Sequence, residues 1–462
     1  MLDGDGAVNL AQRKLLVLVL SILLVTGGSL PNARTAFARE FGFIRDAEIE
    51  TTIRAYATPI LNAAGIDPEV FNVHLVNSSV LNAFVAGGQR LFVTTGLLRR
   101  SENAGQVVGV IAHEAGHIAG GHLARMEDEM EKLGTLAIIS QLLGVAAGAA
   151  SGNAGAGAAI GLGGAQVAER TFLHYSRTQE SSADQAGVSF LDSAGLSSRG
   201  MLQFLEILSG QDALISSRQD PYLLTHPLTR DRVAFVEHHV EGSKLANKPM
   251  PPGFEEMHRR MVAKLDGFLD PPEAVLRKYG ENDRSVAARY ARAVAYYRIP
   301  DLDRALPLID GLIAEEPRNA YFAELKGQML FENGKLADAE PNYRRAVELL
   351  PNVPLLRTEL AHVQIEMNRP ELLDSTIAGL NEALRVDRFD SLAWRLAATA
   401  YGRKGDMGLS NWALAEHNIL IGQPRAARAL AERAMKQLKP GSPAWLRAQD
   451  IVTQPLPRNG RR

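Results

Sequence analysis

Residues Val110 to His122 read "VIAHEAGHIAGGH", and the fold turns on how that run is taken. His113-Glu114-Ala115-Gly116-His117 fits the pattern H-E-x-x-H. On a helix, residues four apart share a face, so both imidazoles can reach one zinc ion. Glu114, beside them, can then take a proton from the attacking water. A helix that carries histidines by accident is the alternative. The preceding "NAGQVVGVIA" (residues 103–112) supplies an apolar face that would bury this helix in a core, and that favours the site.

A catalytic zinc site needs three protein ligands and one open position, so a third ligand must lie elsewhere. The best candidate is in "HYSRTQESSADQAGV" (residues 174–188). Glu180 and Asp184 are again four apart on a predicted helix. Glu180 can point at the metal, while Asp184 orients a ligating histidine. Arg177, one turn earlier, is a candidate to hold a carboxylate or a substrate carbonyl. His226 lies in "LLTHPLTRDRV", where the following proline disfavours helix and indicates a rigid loop, with Arg232 six residues on. His122, His174, His238 and His239 lack such a context and read as surface or packing residues, and Met126 and Met130 read as packing.

Before the histidine helix, "DAEIETTIRAYATPILNAAG" has helical spacing and stops at Gly65. "FNVHLVNSSVLNAFVAGGQRLFVTTGLL" reads as short strands around a Gly87-Gly88 turn, which predicts a small sheet. The strand around Leu91 to Thr95 is expected to pair with an extended substrate. Residues 134–164 are rich in Ala, Gly and Leu. They read as a mobile loop near the site, or one resting on a membrane surface, rather than as a span.

After "LANKPMPPGFEEM" (Leu245 to Met257) the sequence changes character. Leu302, Ala305, Pro307 and Pro317 recur as Leu336, Ala339, Pro341 and Pro351, all at an offset of 34, and Ala293 recurs as Gly327. That period, with two amphipathic helices per unit, indicates about four degenerate tetratricopeptide repeats.

At 462 residues the chain can hold more than one core. Its 50 basic and 52 acidic residues nearly balance, which gives no sign of a nucleic-acid partner. Cysteine is absent, so a metal must be held by His and carboxylates. Arg13 and Lys14 precede the apolar run Leu15 to Val25, and Ala36-Phe37-Ala38 follows. This is the layout of a cleaved signal peptide, with an uncleaved anchor as the alternative.

Together "HEAGH", "SRTQESSAD", "THPLTRDR" and the tandem repeats resemble the periplasmic members of the HtpX-like zinc endopeptidases. "IRDAEIE" and "NAFVAGGQRLFVTTGLL" resemble them as well. The resemblance implies one zinc held by His113, His117 and Glu180, with Glu114 as catalytic base and Asp184 supporting a ligand. It implies that His226 is a loop histidine at or near the metal that helps keep the site closed. The family pattern Glu-x-Glu-Ala-Asp is broken by Ser182, which puts a local salt bridge in doubt.

The expected architecture is an α+β zincin-like metalloprotease domain followed by an all-α tetratricopeptide-repeat solenoid. The expected segments are a signal peptide (1–38), a protease domain (39–245), a linker and connecting helix (246–283), a repeat domain (284–450) and a disordered tail (451–462). The implied function is zinc-dependent cleavage of misfolded or stalled outer-membrane proteins in the periplasm, with a chaperone role. The repeats are expected to bind the outer-membrane β-barrel assembly machinery. Two alternatives stand beside it: a repeat-based chaperone or scaffold with a silent protease site, and a membrane-anchored quality-control protease.

Overall fold

The computed structural model describes residues 42–122, 125, 176–214, 226 and 228–456. The expected signal peptide, the segment 134–164, His174, Met126 and Met130 lie outside the described residues. The described residues fall into two compact units.

The first unit comprises residues 42–44 and 50–259. Four short strands, β1 (Gly42–Ile44), β2 (Asn72–Asn77), β3 (Ala83–Ala86) and β4 (Arg90–Thr94), form one sheet in the order β1-β2-β4-β3. Helix α1 (Ala47–Ala63) precedes β2 and buries Ile53, Tyr56, Ile60 and Leu61. It ends before Gly65, whose φ of 68° reverses the chain. Gly87 and Gly88, at φ 53° and 97°, make the turn between β3 and β4, a conformation that glycine adopts at low cost. Strand side chains alternate. Leu75, Val85, Leu91 and Val93 are buried on one face, while Phe84, Phe92 and His74 stack ring on ring along the other.

The substrate-pairing edge expected at Leu91 to Thr95 is taken. β4 is parallel to β2 on one side and antiparallel to β3 on the other, so its backbone groups are paired twice. The sheet's edge beside the histidine helix is β3 instead.

Helices α2 (Thr95–Arg100) and α3 (Ala104–Ala119) follow, capped by the side chains of Thr94 and Asn103. α3 is the histidine helix, and it is buried from Ala104 to His117. Residues 176–193 form α4, and α5 (Arg199–Leu214) and α6 (Arg230–Gly242) complete the helices around it. A Cβ on Gly116 would lie 2.5 Å from the carbonyl oxygen of Ala183, so glycine there is what lets α3 and α4 approach closely.

The second unit comprises residues 45–49 and 260–456. Its entry is formed by the later part of α7 (Phe254–Leu269) and by α8 (Pro272–Lys278). The segment expected as a linker and connecting helix holds these two helices, and Ala263 and Val275 share a core with Ala287, Ala291 and Ala295. Five helical pairs follow: α9 (Val286–Arg298) with α10 (Leu302–Glu315), α11 (Ala320–Glu332) with α12 (Leu336–Leu349), α13 (Pro354–Glu366) with α14 (Leu373–Val386), α15 (Ser391–Lys404) with α16 (Met407–Leu420), and α17 (Pro424–Gln437) with α18 (Pro443–Thr453). Each helix packs on the next, as in a helical-repeat solenoid. The positions repeated at 34 are structural. Leu302 and Leu336 open α10 and α12, and Ala305 and Ala339 are fully buried. At Gly327, an added Cβ would meet the ring of Tyr343 at 2.9 Å.

Five helical pairs stand where about four repeats were expected, and the last pair packs through Ala427, Ala431, Ala434 and Ala448. The tail begins later than 451, since Ile451 is buried in a helix that runs to Thr453. Residues 45–49 dock into this unit by charge. Glu48 accepts hydrogen bonds from Tyr290 (2.8 Å) and Arg260 (3.0 Å), and Asp46 lies 2.9 Å from the buried Lys264 ammonium. No helix among the described residues is long and apolar enough to cross a membrane.

Candidate metal centre

Sequence spacing puts His113 and His117 on one face of α3, and both side chains are buried. Glu180 on α4 faces them, and His226 closes the group, with all four donor atoms within 4.8 Å of one another. The individual separations are tighter. His113 Nε2 and His117 Nε2 are 3.1 Å apart, and Glu180 carboxylate oxygens lie 3.3 Å from each. His226 Nδ1 is 3.2 Å from Glu180 and 3.3 Å from His113 Nε2. Ligands at about 2.0–2.1 Å from a tetrahedral ion stand roughly 3.3 Å apart, so these separations match the edges of such a site. Four electron-rich atoms at this spacing need a shared cation or protons between them.

The carboxylates supply the matching charge. Burial opposes a charged His113, but the hydrogen bond and charge of Asp184, joined by those of Glu180, push its pKa up to about 10. His117 goes the other way. Burial, helped by the charge of His113, outweighs its contact with Glu180 and brings it down to about 3. Burial would raise Glu180, yet the charge of His226 and hydrogen bonds from the three histidines hold it well below the usual carboxylate range.

His113 is oriented through its other nitrogen, Nδ1, which bonds Asp184 at 2.8 Å. Asp184 is fully buried, and Arg232 holds it with a two-pronged grip, Nε to Oδ2 at 2.6 Å and Nη2 to Oδ1 at 2.9 Å. Arg232 Nη1 also reaches Glu180 at 2.9 Å. Thr229 caps α6 and so fixes the first turn, from which Arg232 projects. Burial would raise Asp184 as well, but the bonds from His113 and Arg232 lower it.

Glu114 is 1% exposed. Neither carboxylate oxygen makes a full hydrogen bond among the described residues; the Val85 N–H of β3 stands near as a weak contact, and His226 Nε2 lies 3.6 Å away. Burial accordingly raises its pKa. A buried carboxylate with weak contacts among the described residues, beside a cluster of metal-type donors, is suited to accepting a proton from a molecule bound between them.

Of the residues singled out in the sequence, His113, Glu114, His117, Glu180, Asp184 and His226 converge here. Arg177 does not; it is exposed, and Arg232 takes the carboxylate-holding part. Only its distance after His226 marked Arg232 in the sequence. His238 is exposed, in line with a surface residue. His122 is not at the surface: it is buried with its Nδ1 3.0 Å from His117 Nδ1. Ser182 is exposed, so the break in the Glu-x-Glu-Ala-Asp pattern leaves the centre untouched.

Residues 44–240 match peptidase family M48. The chain is 27% identical over 382 residues to the β-barrel assembly-enhancing protease of Yersinia pestis, covering 80% of this chain and 76% of that one. It is 27% identical over 409 residues to the protein of the same name from Escherichia coli strain K12, covering 86% and 81%. Metalloprotease YcaL of the same organism is 28% identical over 175 residues, 37% of this chain and 63% of that one. With the histidine helix, the facing glutamate and this match in the same segment, the chain is a metalloprotease that is similar to peptidase family M48 over residues 44–240.

Proposed function

We propose that the chain is a zinc endopeptidase of the bacterial periplasm that removes or assists misfolded and stalled outer-membrane proteins. The observation that carries the reading is the set of donor atoms 3.1–3.3 Å apart beside the buried carboxylate of Glu114, which makes no full hydrogen bond among the described residues. His113, His117 and Glu180 would hold one zinc ion. Bound there, zinc supplies a Lewis acid and lowers the pKa of water toward neutrality. Glu114 accepts the proton of the attacking water and passes it to the leaving amine. Asp184, clamped by Arg232, keeps His113 in the tautomer that leaves Nε2 free. The outer edge of β3, Ala83–Ala86, the end strand of the sheet, pairs with an extended substrate, and main-chain pairing makes little demand on sequence, as suits unfolded clients.

The clients and the cellular setting follow from the names of the relatives and from the signal-peptide pattern of residues 1–38. In this reading the protease domain occupies 39–245, and 246–283 connects it to repeats from 284 that engage the outer-membrane β-barrel assembly machinery. The test is cleavage of an unfolded outer-membrane barrel protein by the purified chain, stopped by a chelator and restored by zinc. An intact client after metal loading would sink the enzymatic reading.

His226 bears on whether the resting enzyme is silent. Its Nδ1 occupies the fourth corner of the donor set, where substrate and water must enter. The resting site is closed by this residue, and displacement of its imidazole opens it. His226→Ala is expected to keep its metal through the other three ligands and to cleave clients about tenfold faster, as when a minor open form becomes the main one. A loss of activity with metal retained would instead give His226 a part in stabilising the transition state.

A further inference from the structure

We propose that His122 is a positioning residue for His117: its Nδ1 accepts a hydrogen bond from His117 Nδ1–H and thereby fixes the tautomer that leaves His117 Nε2 free for a metal ion. The inference rests on the reading of His113, His117 and Glu180 as ligands. A neutral imidazole has one N–H and one lone pair, so when two rings meet Nδ1 to Nδ1 at 3.0 Å, one donates and the other accepts. The direction is set by the far side of His117. Its Nε2 faces His113 Nε2 at 3.1 Å and Glu180 Oε1 at 3.3 Å, the positions of fellow ligands, so the lone pair belongs there and the proton on Nδ1. His122 must then carry its own proton on Nε2.

The backbone is shaped for this contact. On a continued helix, a residue five after His117 would leave the face that His117 occupies. Instead α3 ends at Ala119, and Gly121 takes a φ of 60°, so the chain turns back. A Cβ on Gly120 would lie 2.3 Å from His122 Nε2; the ring rests where any larger residue would stand. The two rings meet nearly at right angles, 82° between planes with centroids 5.0 Å apart, and His122 is 3% exposed. The two helix histidines therefore have matched supports, Asp184 behind His113 and His122 behind His117. The second support is uncharged, so it orients its ligand without adding negative charge.

The experiment compares zinc affinity of the full chain by chelator competition in the parent, His122→Phe and His122→Asn. Phenylalanine keeps the ring and loses the acceptor; asparagine places Oδ1 close to where Nδ1 stands. His122→Phe is expected to bind zinc about 10–100-fold more weakly, and His122→Asn to stay within about threefold of the parent. Equal affinity in parent and His122→Phe, or an asparagine variant as weak as the phenylalanine one, would overturn the proposal. Should the phenylalanine variant not fold, the asparagine variant and the parent still decide. Nitrogen-15 spectra of the zinc-loaded parent are expected to show His117 protonated at Nδ1 and His122 at Nε2, and a proton on His122 Nδ1 refutes the assignment. A parent that binds no zinc at all would fail the ligand reading itself, which is distinguishable from failure of His122 alone.

Discussion

Changing Glu114 to glutamine is expected to leave one metal ion per chain and to slow hydrolysis of an unfolded client by about 10²–10⁴-fold, the range that a positioned general base contributes. The substitution is nearly isosteric. It leaves the donor atoms of His113, His117 and Glu180 in place, so the metal should stay. What is lost is proton acceptance. The Glu114 carboxylate is buried, its pKa is raised by that burial, and its oxygens lack full hydrogen bonds among the described residues. The loss should fall on kcat with little change in KM, because the base acts in the chemical step rather than in holding the client. Initial rates and elemental analysis on one preparation check this. Activity within tenfold of the parent would show that another group takes the proton.

Glu180→Ala has the opposite signature: metal and activity are expected to disappear together. Glu180 is the one carboxylate among the four donors, and its oxygens stand 3.2–3.3 Å from His113, His117 and His226. Its removal strips the formal negative charge from the ligand set. The fall in zinc affinity should exceed the roughly 100-fold typical of losing a residue that only supports a ligand. The fold should survive, because Arg232 keeps both of its bonds to Asp184 and so is not left as a buried unpaired charge. Metal content and a thermal melt measured together separate ligand loss from unfolding. Full metal occupancy in this variant would assign the third ligand position to His226.

The contrast between these variants was legible in the sequence because it depends on local spacing. His113 and His117, and again Glu180 and Asp184, are four apart, and an α-helix converts that spacing into a shared face without help from the rest of the fold. The 34-residue offset likewise marked Ala305 and Ala339 as helix-packing positions, and both are fully buried. Where the helical period is interrupted, local spacing does not report the contact. His122 is off the face of His117 on any straight helix, and only the left-handed turn at Gly121 brings the two rings together.

Partners brought together by tertiary packing were hidden for a different reason. Arg177 and Arg232 are both plausible holders of a carboxylate by type. The choice of Arg232 is made by its position in the first turn of a capped helix, 48 residues from Asp184, which sequence periodicity does not report. Nothing in the sequence of strand Arg90–Thr94 says whether its outer side is paired, and only pairing on both sides makes it interior and puts Ala83–Ala86 at the end of the sheet. Glu48, four residues into a protease-like stretch, is committed to the repeat unit by Tyr290 and Arg260. The sequence by itself determined the donor types of the candidate metal centre, the helix that carries two of them and the presence of the repeats, because backbone periodicity is a local property. The tertiary structure decided which groups orient those donors and which strands stand at the sheet's ends, because these depend on contacts between segments far apart in the chain.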